Sequence, residues 1–300
     1  MKPLSDRALE RLRSAAAAPD LTGTRYQLKR ELGRGGMGAV YLAEDTLLHR
    51  DVALKVLHLD EHSPEFAARL RREAQTLAQL EHPNIVPVYD IGELPGNRLF
   101  YVMKFVEGQR LDTWAGCQQA LPDRLRLFVK ICEAVAYAHS HHIIHRDLKP
   151  GNIMVGPFGE VLVMDWGLAI LKNESETPGR ILGTPRYMAP EQERGEPRID
   201  ERADIYALGM LLSDLTGSET PRPLKSIVAK ATGAEPVDRY DAALSLGREV
   251  LRFLDGQRVQ AHRESAWESF VRFAAVNRTL LLIVVSYIIM RILVLLVRQR

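Results

Sequence analysis

His145-Arg146-Asp147-Leu148-Lys149-Pro150-Gly151-Asn152 is followed, thirteen residues after Asn152, by Asp165-Trp166-Gly167. The first stretch holds a carboxylate that can act as a base, Asp147, two residues from a lysine, Lys149. A serine or threonine hydroxyl is far too weak an acid for an aspartate of ordinary pKa, about 4, to deprotonate outright. Asp147 can instead orient the hydroxyl and take its proton late, as the bond to phosphorus forms. Lys149 can neutralise charge on a migrating phosphoryl group. Asn152 offers a neutral oxygen to one magnesium ion, and Asp165 offers a full carboxylate to the cation that carries the nucleotide phosphates. The chemistry these types suit is phosphoryl transfer from Mg-ATP to a protein hydroxyl.

Such chemistry needs a cradle for polyphosphate. Gly33-Arg34-Gly35-Gly36-Met37-Gly38 supplies one, because glycine lets backbone amides approach the oxygens closely. A dinucleotide-binding turn shares this spacing but requires a helix directly after the glycines. Here Ala39-Val40-Tyr41-Leu42-Ala43 continues as strand. Lys55, inside the apolar run Val52 to Leu57, can reach into a cleft and meet phosphate oxygens if an anion holds it. Glu73 suits best, four residues before Leu77 on an inward-facing stripe, with Glu61, Glu65 and Glu81 as alternatives.

The elements that must position these groups are legible as pattern. Residues 26–32, 39–43 and 52–57 read as three antiparallel strands, and 65–80 as a helix with Phe66, Leu70, Ala74, Leu77 and Leu80 near one face. Strands at 86–91 and 99–105 flank the turn Pro95-Gly96-Asn97. Beyond residue 111 the period becomes helical, with Leu127, Ile131, Ala134, Val135 and Ala138 on one stripe of 125–140. Short strands follow at 153–155 and 161–163. The expected class is α+β, a strand-rich N-lobe over a helical C-lobe, with the cleft near residue 106.

Over residues 26–256 the chain resembles the eukaryotic-type protein kinase family, in particular its bacterial membrane-anchored Ser/Thr branch. The resemblance implies an N-lobe at 26–105 and a C-lobe at 106–256. It implies nucleotide contacts at Gly33, Gly35, Gly38, Val40, Ala53, Lys55, Met103 and Val106, with the adenine near Met103 to Val106. Lys55, Glu73, Asp147, Lys149 and Thr184 become catalytic, and Asn152 and Asp165 hold Mg²⁺, or Mn²⁺ in its place. Glu191 of Ala189-Pro190-Glu191 is expected to pair with Arg239, and Asp204 to anchor the catalytic loop. Leu77, Val88, His145 and Trp166 are expected to stack between the lobes; tryptophan stands where the family usually has phenylalanine. Lys149 and Thr184 follow the Ser/Thr pattern, and phosphate on Ser175 or Thr177 could pair with Arg146. Leu215-Thr216-Gly217 reaches Leu224 in a few residues, so the docking-helix region is shortened. A partner, a membrane or self-association would then cover the exposed surface.

Composition sets outer limits. The chain has 300 residues, 46% hydrophobic and 26% charged, and a net charge of +2 that excludes nucleic-acid binding by bulk charge. Two cysteines, Cys117 and Cys132, are too few for a disulfide scaffold or a zinc site. Residues 1–25 read as an N-terminal extension without a signal peptide. Residues 257–278 mix Arg258, Arg263, Arg272 and Arg278 with Trp267, Phe270 and Phe273, which suits an anionic membrane surface. The run 279–297, broken by Arg291, reads as a single transmembrane helix, giving a cell-membrane protein with its catalytic domain cytoplasmic. Protein substrates are the expected partners. A pseudokinase working as a membrane-tethered, ATP-binding scaffold is the alternative to an active kinase, favoured by Trp166 and the shortened region.

Overall fold

A computed structural model describes residues 18–35, 38–57, 71, 74–75, 77–95, 98–116, 119–166, 170–171, 183–217, 220–269, 272 and 277–298. The N-lobe is one antiparallel sheet of β1 (Tyr26–Gly35), β2 (Gly38–Asp45), β3 (Arg50–Leu57), β4 (Val88–Leu94) and β5 (Arg98–Lys104), ordered β1-β2-β3-β5-β4. Successive side chains of a strand face opposite sides of the sheet. On β3 this puts Val52, Leu54 and Val56 in an outer core with Tyr26, Tyr41 and Phe100. Ala53 joins the other core, which runs on through the C-lobe. Lys55, two residues along, shares the face of Ala53. Register sets Lys55 opposite Val40 on β2 and Tyr101 on β5, and Ala53 opposite Met103. One strand period thus gathers the roof of the cleft.

The C-lobe begins with β6 (Gln109–Arg110) and two helices, α1 (Leu111–Gly116) and α2 (Leu121–Ser140). Pro122 falls in the first turn of α2, where its missing N–H costs nothing. Leu125, Phe128, Ile131, Cys132, Val135 and Ala138 bury that helix in the main core. Strands β7 (Ile143–Ile144), β8 (Ile153–Val155), β9 (Val161–Val163) and β10 (Ile170–Leu171) frame the cleft floor, β6 pairing with β8, β8 with β9 and β7 with β10. Helices α3 (Pro190–Glu193), α4 (Arg202–Thr216), α5 (Arg222–Ala231) and α6 (Ala243–Leu254) complete the lobe. Gly209 lets α4 and α5 close on each other, since a Cβ there would stand 2.8 Å from the Ala231 Cβ. Segment 257–262 folds back on this bundle: Val259 is buried, the Ala261 amide donates to Glu249 at 2.8 Å, and His262 meets Ser226 at 3.0 Å. The chain's own C-terminal segment therefore covers part of the α5–α6 surface.

One expectation is corrected. Residues 279–297 do lie in a helix, α7 (Arg278–Arg298). Among the described residues, however, no helix is long and apolar enough to cross a membrane. Arg291 divides the run into uncharged stretches at 279–290 and 292–297. The longer rises about 18 Å, against a hydrocarbon core of about 30 Å. A mid-bilayer charge costs at least about 2.5 kcal/mol. The transmembrane helix, the membrane as partner and the cell-membrane localisation with a cytoplasmic catalytic domain therefore do not stand.

A buried ion pair fastens the C-lobe. Glu191 accepts two hydrogen bonds from Arg239, each of 2.7 Å. The two side chains are 3% and 0% exposed. Arg239 also donates to the carbonyls of Arg202 at 2.9 Å and Gly233 at 2.8 Å. Replacing Arg239 with leucine strands a buried carboxylate, which costs about 3–5 kcal/mol. Urea denaturation of Arg239→Leu should show that loss; a shift under about 1 kcal/mol would mean the pair does not hold the lobe together.

Candidate active site

Asp204, in the first turn of α4, is 1% exposed. Its Oδ2 accepts from the His145 amide and from His139 Nε2, both at 2.8 Å, and its Oδ1 accepts from the Arg146 amide at 2.8 Å. Burial pushes this carboxyl up, but the His139 hydrogen bond, the charges of His139 and His145 and the His145 amide outweigh it and hold the pKa below the usual range. The grip matters because Arg146 sits at φ 67°, in the left-handed region that side chains disfavour. Gln192 braces the same turn, donating to the Arg146 carbonyl at 3.0 Å while its Oε1 accepts from the Ala189 amide at 3.1 Å.

Next along the loop, Asp147 Oδ2 accepts from Lys149 Nζ at 2.7 Å and from Asn152 Nδ2 at 3.1 Å. Its Oδ1 accepts from Thr184 Oγ1 at 2.9 Å, and Lys149 Nζ also donates to that hydroxyl at 2.8 Å. Asp147, Lys149 and Thr184 form a closed triangle across 35 residues or more of sequence. Gly183 permits it: at φ 133° its Cβ would lie 3.3 Å from the Arg146 carbonyl.

Asp165 faces the triangle from the other loop, at φ 58°. Lys55 Nζ, hanging from the roof, meets Asp165 Oδ1 at 3.0 Å. Desolvation raises the Asp165 pKa, but the Lys55 charge and hydrogen bond outweigh it, so the carboxyl is held below its ordinary 3.8. His145 Nε2 donates to the Met164 carbonyl at 3.1 Å. The ring of His145 lies 4.5 Å from that of Trp166, between centroids. Trp166, His145 and Leu77 are buried, and Val88 packs partly buried against the same core.

The donor set fits magnesium. Asn152 commits its amide nitrogen to the Asp147 carbonyl at 2.8 Å and to Oδ2, leaving Oδ1 for a cation beside the half-exposed Asp165 carboxylate. Oxygen-only donors suit a hard cation that keeps waters and nucleotide phosphates as its other ligands. Among the described residues there is no group of three or more His, Cys, Asp or Glu that could hold a metal ion. For the nucleotide, Gly33 and Gly35 close β1 and pair in register with Val40 and Gly38. Ala53, Met103 and Val106 are buried on the roof and hinge.

Glu73, Ser175 and Thr177 lie outside the described residues, as does Gly36 of the glycine turn. The structure adds two residues that the sequence reading did not single out, His139 and Gln192. His139 had a usable signal: it stands four residues after Val135 on the buried stripe. Gln192 had none, since its partners are backbone atoms of a distant turn.

A bilobed fold with a glycine-turn roof and this loop pair is of the protein kinase type. Residues 26–243 match the protein kinase domain family, and the chain belongs to it. Its relatives include the serine/threonine-protein kinase PrkC of Bacillus subtilis, 36% identical over 273 residues, covering 80% of this chain and 42% of the relative. PknB of Mycolicibacterium smegmatis is 38% identical over 278 residues, covering 80% and 44%. PknD of Chlamydia muridarum is 36% identical over 299 residues, covering 78% and 32%. The chain thus spans less than half the length of these curated relatives. Membership implies Mg-ATP as the cofactor.

The Lys55–Asp165 contact carries a pH prediction. A depressed carboxyl pKa contributes stability that is present above the unfolded value, about 3.9, and is lost as pH falls through the lower folded value. Lys55→Met removes the cation and leaves the desolvation. The Asp165 pKa should then rise, read by the pH titration of its carboxyl carbon in NMR. An unchanged titration would show that Lys55 does not hold it down.

Proposed function

We propose that this chain is a serine/threonine protein kinase that transfers the γ-phosphoryl of Mg-ATP to protein hydroxyls, its own among them. The Asp147–Lys149–Thr184 triangle facing Lys55 and Asp165 is the observation that carries the reading. Asp147 accepts hydrogen bonds on both oxygens from Lys149, Asn152 and Thr184, which fix the direction in which the carboxylate points. An acceptor hydroxyl approaching Asp147 is oriented by it and leaves its proton there as attack proceeds. Lys149, already turned to the site, meets charge on the moving group, and Thr184 sets the wall against which the acceptor lies. Lys55 leaves Asp165 for the nucleotide phosphates and frees that carboxylate for a cation. Magnesium, when bound, supplies charge neutralisation on the phosphates. Phosphate on Ser175 or Thr177 is an ordering signal proposed on sequence grounds alone, with Arg146 as its receiver.

The scaffold reading is favoured by one observation. Trp166 is 1% exposed, and its Nε1 has no hydrogen-bond partner among the described residues. An unmet buried donor costs about 1–3 kcal/mol and loosens the triplet's hold on its place.

Transfer of labelled γ-phosphate to the protein itself and to a generic basic protein separates the two. The kinase reading expects magnesium-dependent labelling that EDTA abolishes. Asp147→Asn should lower the rate by at least about 100-fold while nucleotide still binds. No labelling by folded, ATP-binding wild-type protein would leave the scaffold.

A further inference from the structure

Past the end of α6 the chain stays on the C-lobe, and residues 257–262 lie across α5 and α6 as a strap. Its anchor on α6 is Glu249, a carboxylate 4% exposed. Glu249 Oε2 accepts from the Ala261 amide at 2.8 Å, and Oε1 accepts from Arg252 at 2.8 Å. The anchor on α5 is Ser226, 3.0 Å from His262 Nδ1. Val259, 2% exposed, joins the main core. The following turn reinforces the hold. Glu268 accepts from the Ser265 amide at 2.8 Å, and its carboxylate stands 3.6 Å from His262 Nε2 and 3.9 Å from Arg222 of α5.

The two helices under the strap are joined by residues 232–242, and that connection carries Arg239. Arg239 donates to the carbonyls of Gly233 and Ala234 at 2.8 and 3.2 Å, and through both terminal nitrogens to Glu191 on α3. Gln192, the next residue of α3, donates to the Arg146 carbonyl at 3.0 Å. Tyr240, next to Arg239, is buried; burial first, and then the Glu249 charge, push its phenol up. Glu249 thus acts on both the strap and the connection beneath it. A run of contacts leads from Ala261 and His262, through Glu249 and this connection, to Glu191, Gln192 and the left-handed turn at Arg146.

One aliphatic side chain and a few polar contacts are set against the ordering of the strap's backbone. Segments held so lightly open without the rest of the fold. Further along, α7 is exposed at each residue from 282 to 292, so that stretch takes no support from the catalytic lobe. We infer that 257–262 is a releasable strap whose docked state supports phosphoryl transfer. Docked, it ties α5 to α6 and so keeps Arg239, Glu191 and Gln192 set against the catalytic loop. Released, it lets the Arg146 turn relax. The strap is a positioning element, acting through Gln192 rather than on the reacting groups. Its effect on rate rests on the kinase reading; its effect on the loop does not.

The experiment uses the full chain, with Val259→Asp to expel the strap and Val259→Ala and His262→Ala as milder releases. Hydrogen exchange is read at the amides of Ala261, Arg146 and the α2 core, beside kcat and the KM for ATP. Val259→Asp should speed exchange by at least about 100-fold at Ala261 and about tenfold at Arg146, with α2 unchanged. The kcat should fall about threefold to tenfold while the KM for ATP stays within about twofold. In a Gln192→Leu background, which removes the last link, the same release should change kcat by less than about twofold. Fast exchange at Ala261 with Arg146 and kcat unchanged would overturn the inference, as would an equal loss of kcat in both backgrounds. If Val259→Asp strips protection from α2 as well, the two milder variants decide. Arg146 protection and kcat that fall in step with Ala261 protection uphold the strap, and independence of the two overturns it. A wild-type chain that transfers no phosphate defeats the kinase reading alone, and exchange at Arg146 then carries the test.

Discussion

The working geometry depends on one buried carboxylate. Asp204 gathers the amides of His145 and Arg146, and His139 Nε2, at 2.8 Å each. A carboxylate with no access to water is tolerable only when such donors replace its hydration. In return, two consecutive amides are fixed in direction, and a left-handed residue, Arg146, is held where the next side chain, Asp147, projects toward Thr184. The strain at Arg146 is local and the grip comes from a helix of the main core, so the loop inherits that helix's rigidity.

A second constraint is the period of a strand. Alternation on β3 sends Val52, Leu54 and Val56 to one core and leaves Ala53 and Lys55 to the cleft. Lys55 then bridges the lobes through Asp165 at 3.0 Å, across 110 residues of sequence. In the proposed function the same lysine turns to the nucleotide phosphates, which would leave the Asp165 carboxylate to a cation.

Much of this was legible in the residues because the chemistry is local in sequence. Asp147, Lys149 and Asn152 lie on one loop, and strand alternation around Lys55 needs only adjacent residues to be read. What stayed hidden is made by tertiary contact. Gln192 acts through backbone atoms that no side-chain pattern reports. The fold of 257–262 onto Glu249 and Ser226 was masked by a mixture of cations and aromatics over 257–278 that reads as suited to an anionic membrane surface. At 279–297 hydropathy misled in the other direction: the apolar count was high, while Arg291 broke the run.

The central claim is that the Asp204 carboxylate positions the catalytic loop without touching the nucleotide. Asparagine at 204 keeps the shape but turns an N–H₂ toward amides that need an acceptor. Single-turnover phosphoryl transfer by Asp204→Asn, measured beside its nucleotide affinity, tests this most directly. The account predicts a rate lower by at least about tenfold, the cost of one lost charge-assisted hydrogen bond, with nucleotide affinity changed less than about threefold. A folded Asp204→Asn protein that transfers phosphate at the wild-type rate would contradict it.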